Sequence, residues 1–132
     1  MTQKDKKLLL KDLCARLPYG VQCEIGGLRY GPYTFTGNDV EDLIDGRTFK
    51  PYLRPMSSMT EEERSDMGKA IQKNYINPNG EIKSSGADNL LMCTARQAEH
   101  FIDWLNAHHF DYHGLIEMGL AIEAPEGMYN IK

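Results

Sequence analysis

The stretch from Thr94 to Ala124 constrains the fold of this 132-residue chain more than any other part of the sequence. Its spacing of apolar residues and its capping residues are typical of a helix that packs against a core. The same stretch contains all four histidines, the only tryptophan and several carboxylates. Two interpretations follow: it is a metal or catalytic site, or it is the helix that organises the core.

The spacing predicts a helix that begins at Thr94 and ends near His109. Thr94 and Gln97 match the capping-box pattern, in which two side chains bond the free N–H groups at a helix start. The apolar residues of this helix recur on one face, as expected for packing on a core. They are Ala95, Ala98, Phe101, Ile102 and Leu105.

The rest of this stretch predicts a short helix and a hairpin. Asp111 is suited to cap a helix that continues to Met118, and Gly119 is suited to the left-handed position that ends helices. Leu120–Ala124 and residues 128–131 are then expected to pair as a C-terminal β-hairpin across a Pro-Glu-Gly turn.

Residues 1–57 predict one amphipathic helix followed by a small β unit. The helix covers Thr2–Leu17, with leucines at helical spacing and a proline as its stop. Lys11, Asp12 and Arg16 interrupt its apolar run. These charges are typical of a helix of a cytosolic protein and not of a signal peptide.

Four short strands are predicted in the β unit. Residues 21–25 alternate apolar and polar side chains, and residues 33–36 are rich in β-favouring residues. Residues 40–44 and 47–50 flank Asp45-Gly46, a two-residue hairpin turn. Pro51 and Pro55 oppose regular sheet pairing, so residues 50–55 are expected to cross the surface as extended chain. This order favours a curled, barrel-like sheet.

A second helix is predicted over Ser57–Asn77, because Thr60 and Glu63 form another capping box. The polar residues 81–89 predict a mobile loop. The elements together predict a single α+β domain over residues 1–132, with a possible division into 1–57 and 58–132. Its parts are an N-terminal helix, a small antiparallel curled sheet of about four strands, two longer helices, a short helix and the C-terminal hairpin.

The composition predicts a soluble cytoplasmic protein, with 41% hydrophobic and 26% charged residues. No apolar run approaches the roughly 20 residues that cross a bilayer, so no membrane contact is expected. Cys14, Cys23 and Cys93 are far apart and form no CxxC pair. Reduced thiols are therefore expected, and a disulfide framework is not.

The charge is distributed unevenly along the chain. Residues 1–59 carry nine Lys/Arg and seven Asp/Glu, whereas residues 60–132 carry six and twelve. Residues 94–130 resemble a helix-turn-helix followed by a wing, but Arg96 is their only Lys or Arg, against six acids. Since phosphate attraction dominates nucleic-acid binding, this half is not expected to bind DNA.

The histidines do not match a metal motif. On a helix, His100 and His108 lie two turns apart, about 12 Å at 1.5 Å per residue, which is too far to share one ion. A metal site would need His108, His109, His113 and Asp111 to gather where the helix ends. Histidines in a last helical turn also complement its free carbonyls and its dipole. The sequence therefore predicts no metal, no cofactor and no catalytic residue, with these four as the metal candidates.

The candidates for an interaction surface are Trp104, Tyr52, Arg54 and Lys50. Tryptophan is enriched at protein–protein hot spots. The basic residues of the N-terminal half interleave with aromatic residues at positions 30–52, which is typical of barrels that bind single strands or peptides. Burial tendencies favour the alternative, in which these aromatics form the core and the lysines a solvated face.

Three phrases of the sequence are KDLCARLPYGV, KPYLRPMSSMTEEE and IDWLNAHHFDYHGLIEMGLAIEAPEGMY. With them the chain resembles, over nearly its whole length, a family of small uncharacterised bacterial proteins of gut anaerobes. That family is associated with prophages and other mobile elements and brings no known activity. The resemblance implies an accessory role in a mobile element.

We predict a non-enzymatic intracellular module that binds a protein partner or itself. The sequence contains no phosphate-binding glycine loop and no GxSxG motif. The alternative is a nucleic-acid-associated accessory protein that uses the basic, aromatic N-terminal half. A metal-dependent enzyme built on the histidines is the third possibility.

Overall fold

The computed structural model describes residues 2–28, 30–75 and 86–129. The fold is α+β, as predicted. The chain divides into two compact units, Met1–Ser57 together with Asn106–Lys132, and Ser58–Leu105. The second unit contains α3 (Glu61–Tyr75) and most of α4 (Gly86–Ala107).

The first unit is built from two helices and a four-stranded sheet. The helices are α1 (Gln3–Ala15) and α2 (Gly37–Ile44), and the strands are β1 (Gln22–Ile25), β2 (Tyr33–Thr34), β3 (Phe49–Leu53) and β4 (Ile122–Glu123). The strand order is β2-β1-β3-β4. β1 pairs antiparallel with β2 and β3, whereas β4 lies parallel to β3.

The core of this unit lies between α1 and the sheet. Leu9 and Leu13 of α1 are fully buried one helical turn apart. The rings of Phe35 and Phe49 meet edge to face at 5.6 Å, which confirms that these aromatics belong to the core. The other buried residues of the cluster are Val21, Cys23, Ile25, Leu43, Leu53, Leu115, Leu120 and Ala121.

The predicted third strand at residues 40–44 is wrong, because these residues belong to α2. Thr36 and Asp39 form a capping box at its start, with the Thr36 N–H donating to Asp39 at 2.9 Å. Asp45-Gly46 ends this helix and forms no hairpin, and Gly46 has the positive φ of 107° that favours glycine. Without the extra hairpin the sheet stays open, and the barrel-like closure was a wrong expectation.

The predicted role of Pro51 is also wrong. Pro51 lies inside β3 opposite Cys23 of β1, because its fixed φ suits extended chain and its neighbours carry the pairing. The predicted C-terminal hairpin is replaced by the parallel pairing of β4 with β3. Residues 130–131, on which that hairpin partly rested, lie outside the described residues.

In the Ser58–Leu105 unit, the predicted capping box of α3 is confirmed. Glu63 N–H donates to the Thr60 hydroxyl, and Thr60 N–H to the Glu63 carboxylate, each at 3.1 Å. The predicted start of α4 at Thr94 is wrong, since the helix already begins at Gly86. Ala87 and residues 90–92 are strong helix formers that extend it. The predicted loop at 81–89 is therefore helical from residue 86, and residues 81–85 lie outside the described residues.

One expectation for the last third of the chain is corrected. Asp111–Met118 forms turns and no helix, although Gly119 does adopt the left-handed conformation with φ 76°. In the apolar stripe of α4, Leu105 is buried whereas Ile102 is exposed.

We predict that Leu9→Ala lowers the free energy of unfolding by about 2–5 kcal/mol, because it leaves a cavity between α1 and the sheet. Urea denaturation followed by circular dichroism measures this change. Lys11→Ala on the exposed side of the same helix is the matched control, with an expected change within about 0.5 kcal/mol. Equal losses in the two variants would contradict this placement of the core.

Candidate functional site

An ion pair lies at the centre of the first unit, entirely removed from solvent. Arg16 Nε donates to Asp12 Oδ1 at 2.7 Å, and its NH2 group donates to Oδ2 at 3.2 Å. Both side chains are 0% exposed. A two-pronged contact of this kind fixes the guanidinium relative to the carboxylate at the end of α1.

The sequence contains a signal for this pair. Asp12 and Arg16 are four residues apart, so they share a helix face. Leu9 and Leu13 flank them on the same side of α1, and all four are buried. A charged pair at this spacing inside an apolar arc indicates a paired, buried salt bridge and not the interruption of the arc that the sequence analysis predicts.

The ion pair continues into the segment after α4. Arg16 Nη2 also donates to the backbone carbonyl of Phe110 at 2.6 Å. His113 Nδ1 lies 2.7 Å from Asp12 Oδ2. Because a carboxylate only accepts, Nδ1 carries the hydrogen of this contact. We call Asp12, Arg16, His113 and the Phe110 carbonyl the ionic cluster.

The ring of Tyr112 covers this cluster. Its centroid lies 5.3 Å from the Arg16 guanidinium carbon and 4.3 Å from the His113 ring centroid. Contacts of this type between a cation and an aromatic face are favourable. One donor remains unused, since Arg16 NH1 is buried and has no hydrogen-bond partner among the described residues.

The Asp12 carboxylate of the cluster can hold the His113 imidazole in one orientation. A buried carboxylate that accepts from one ring nitrogen fixes the tautomer and makes the other nitrogen a better base. His113 keeps 21% of its side chain exposed. Within the described residues, however, no group of three or more His, Cys, Asp or Glu side chains is placed to hold a metal ion. The contacts that the cluster does make hold residues 110–113 against α1.

His109, another metal candidate, has a structural environment of its own. It adopts the left-handed conformation with φ 63°, directly after α4, and its ring stacks on Tyr129 with centroids 3.7 Å apart. Burial lowers its pKa to about 4, with further lowering by the charges of Arg16, His108 and Arg54. The imidazole is therefore neutral at physiological pH.

Tyr129 connects this stack to the sheet. Its hydroxyl donates to the carbonyl of Tyr52 in β3 at 2.7 Å and accepts from the N–H of Gln22 in β1 at 2.8 Å. Burial raises the pKa of Tyr129 to about 12. The neutral phenol thus bridges two neighbouring strands.

The remaining metal candidates are also separated by structural contacts. The Asp111 carboxylate accepts from the N–H groups of Leu115 and Ile116 at 2.9 and 3.0 Å. This is the capping contact that the sequence predicted, although turns and not a helix follow it. His108 is half-buried in the turn that follows α4.

The interaction candidates lie at different places. Trp104 is half-buried on α4, and Lys50 is exposed on β3. Arg54 is half-buried directly after β3, with its guanidinium 4.2 Å from the Phe110 ring centroid. Tyr52 is half-buried, and its carbonyl accepts from Tyr129. Arg54 and Tyr52 therefore contribute to the internal structure of the first unit.

A surface groove that sequence reasoning missed lies between α1 and α2. It has a volume of about 200 Å³. Its lining residues on α1 follow the i, i+3, i+4, i+7 spacing of one helix face. The lining consists of Gln3, Lys6, Lys7, Leu10, Leu43 and Ile44. The groove could not be predicted from the sequence, because the pattern of residues 40–44 predicts a strand where the structure has α2.

Comparison with family models, with curated proteins and with solved structures found no match. Among the described helices, none combines the length and the apolar character needed to span a bilayer. Functional conclusions therefore rest on the geometry of the chain itself.

We predict that Asp12→Ala lowers the free energy of unfolding by about 3–5 kcal/mol, because Arg16 would remain buried without its counter-charge. Replacing both partners with Asp12→Leu and Arg16→Met should recover part of this loss, because the Phe110 carbonyl and His113 still lose their partners. Chemical denaturation measures all three proteins. Asp42→Ala, which removes an exposed acid of α2, is the control. If Asp12→Ala lowers the free energy of unfolding as little as this control does, the ion pair does not stabilise the fold as proposed.

We also predict that His109 makes the protein less stable in acid. Its folded pKa of about 4 lies below the ordinary 6.5, so the unfolded chain binds more protons between these values. Stability is therefore fully present above pH 6.5 and decreases as the pH falls towards 4, by about 1–3 kcal/mol.

Urea denaturation at pH 7 and pH 4.5 tests this effect, with His109→Asn as the comparison. Asparagine tolerates positive φ but does not titrate. All other ionisable groups are shared, so the difference between the two proteins isolates His109. The same decrease in both proteins would show that the imidazole has no such role.

Proposed function

We propose that this protein is a protein-interaction module whose docking site is the groove between α1 and α2. The observation that carries the proposal is an apolar floor that is open to solvent at Ile44. Leu10, Leu43 and Ile44 form this floor; Ile44 is 53% exposed, whereas Leu43 is buried. Apolar surface concentrated in a concave site with a polar rim is typical of binding sites for other molecules.

The size of the groove favours side chains of a partner over a cofactor. Its volume of about 200 Å³ lies below the roughly 300–1,000 Å³ of small-molecule pockets. A cavity of about 150 Å³ holds one benzene-sized group. The groove therefore has room for one or two large apolar side chains.

The occupant we propose is an amphipathic helix of a protein partner. Helices α1 and α2 both line the groove, and a partner helix can insert one or two anchors of an apolar stripe with i, i+3, i+4 spacing into such a site. Lys6 and Lys7 at the rim can cover the anchors with their aliphatic stems. The site thus provides a floor for the anchors and a rim that contacts the flanks of the helix.

The ionic cluster supports this proposal by fixing α1. The buried face of that helix is held by Asp12, Arg16 and the segment that contains His113. Its groove face is consequently held in one position before a partner arrives. A preformed site loses less conformational entropy on binding, which favours affinity.

The nucleic-acid alternative gains less support from the described residues. Strand binding by a basic, aromatic surface needs exposed rings on which bases stack. Phe35 and Phe49 are buried in the core, whereas Tyr30 is 80% exposed. The aromatic residues of the N-terminal half therefore do not form one exposed stacking surface.

The proposal is tested with a fluorescent 16-residue helical peptide that carries leucines at i, i+3, i+4 and i+7 and neutral polar residues elsewhere. We expect saturable binding by fluorescence anisotropy, and a roughly tenfold weaker affinity for Ile44→Gln. Met118→Gln is the matched control, since Met118 is apolar and 45% exposed away from the groove. Absence of binding, or equal losses in both variants, would overturn the proposal.

A further inference from the structure

We infer that the partner helix is acidic on the flanks of its apolar stripe. This inference rests on the proposed docking function of the groove and specifies the partner. Lys6 and Lys7 are the charged residues of the lining, and no acidic residue belongs to it. A helix with glutamate or aspartate beside its anchors would place those carboxylates at the lysine side of the groove.

The charge of α1 is concentrated on the groove side. At 100° per residue, Lys4 and Lys11 follow Lys7 around the helix and lie next to the groove stripe. Asp5 and Asp12 lie on the other side. Asp5 belongs to the capping contact with Thr2, and Asp12 is neutralised by Arg16. The positive field of this helix is therefore directed to the groove and its edge.

The acids of α2 do not line the groove. Glu41, Asp42 and Asp45 are exposed. Asp42 lies on the side of α2 opposite Ile44, whereas Glu41 lies one turn before Ile44 on the same side. The acidic flank of the partner is therefore placed at the α1 side of the groove, away from Glu41.

The lysines are expected to select the partner more than to hold it. Exposed ion pairs add little affinity, because solvent and salt screen them. They do raise the association rate and disfavour like-charged competitors. The apolar anchors then supply the affinity, and the lysines decide between acidic and basic helices.

The apolar floor also separates a helix from a phosphate ligand. Nucleic-acid binding depends on phosphate contacts and loses affinity steeply with salt. Leu10, Leu43 and Ile44 offer no donor to a phosphate or a base edge. A nucleic acid would use the two lysines and leave the floor uncovered, whereas an acidic helix uses both.

The experiment compares three fluorescent peptides with the same leucine stripe, whose flanking residues are glutamate, glutamine or lysine. Anisotropy titrations use the full chain at low salt and at 0.5 M NaCl. We expect the glutamate peptide to bind about fivefold more tightly than the glutamine peptide at low salt, and the lysine peptide to bind most weakly. High salt should reduce the differences in affinity among the three peptides, whereas the binding that depends on the leucines should remain.

Charge reversal supplies the decisive comparison. Lys6→Glu/Lys7→Glu should invert the order, so that the lysine peptide binds best. Lys50→Glu/Lys69→Glu makes the same change of net charge at exposed positions outside the groove, and it should keep the original order. Circular dichroism confirms that both variants are folded.

The outcomes separate the two proposals. If no peptide binds, the docking function fails. If the three peptides bind equally and Ile44→Gln weakens all of them, the docking function stands and the acidic partner is overturned. If a single-stranded oligonucleotide displaces the glutamate peptide and does not bind the Lys6→Glu/Lys7→Glu variant, the groove is a nucleic-acid site and the inference is also overturned.

Discussion

The buried ion pair between Asp12 and Arg16 is the interaction on which the rest of the first unit depends. It joins parts of the chain that are about a hundred residues apart in sequence, because Arg16 also bonds the Phe110 carbonyl and Asp12 also bonds His113. Removing two charges from water is unfavourable unless their bonds are satisfied. The segment after α4 supplies two of the four contacts of this pair, through the Phe110 carbonyl and His113, and so the pair favours the position of that segment on α1.

The same helix has two faces with different tasks. Its buried face carries the leucines of the core and the ionic cluster, and its other face forms the proposed docking groove with α2. Contacts that hold the buried face of α1 in place therefore also hold its groove face in place. The histidine-rich segment, which first suggested metal chemistry, belongs to this arrangement: His113 completes the cluster, and His109 stacks on the tyrosine that bridges β1 and β3.

Local signals in the sequence predicted the elements with strong caps and failed where two patterns competed. The capping pair of α3 and the β1 strand could be predicted from neighbouring residues alone. Val40, Leu43 and Ile44 fit a helix as well as a strand, and the Asp-Gly pair after them fits a helix end as well as a hairpin. Burial of Asp12 depends on groups about a hundred residues away, so only the spacing of Asp12, Arg16 and their leucine neighbours could have indicated it.

The central claim is that the ionic cluster couples α1 to the segment after α4, and native-state hydrogen exchange in a His113→Gln variant tests it most directly. The amides of Leu115 and Ile116, which donate to Asp111, report on the segment, and the amides of Leu9 and Leu13 report on α1. If the cluster couples them, protection should fall by a similar factor at both places. Faster exchange at Leu115 and Ile116 alone, with α1 unchanged, would contradict the account.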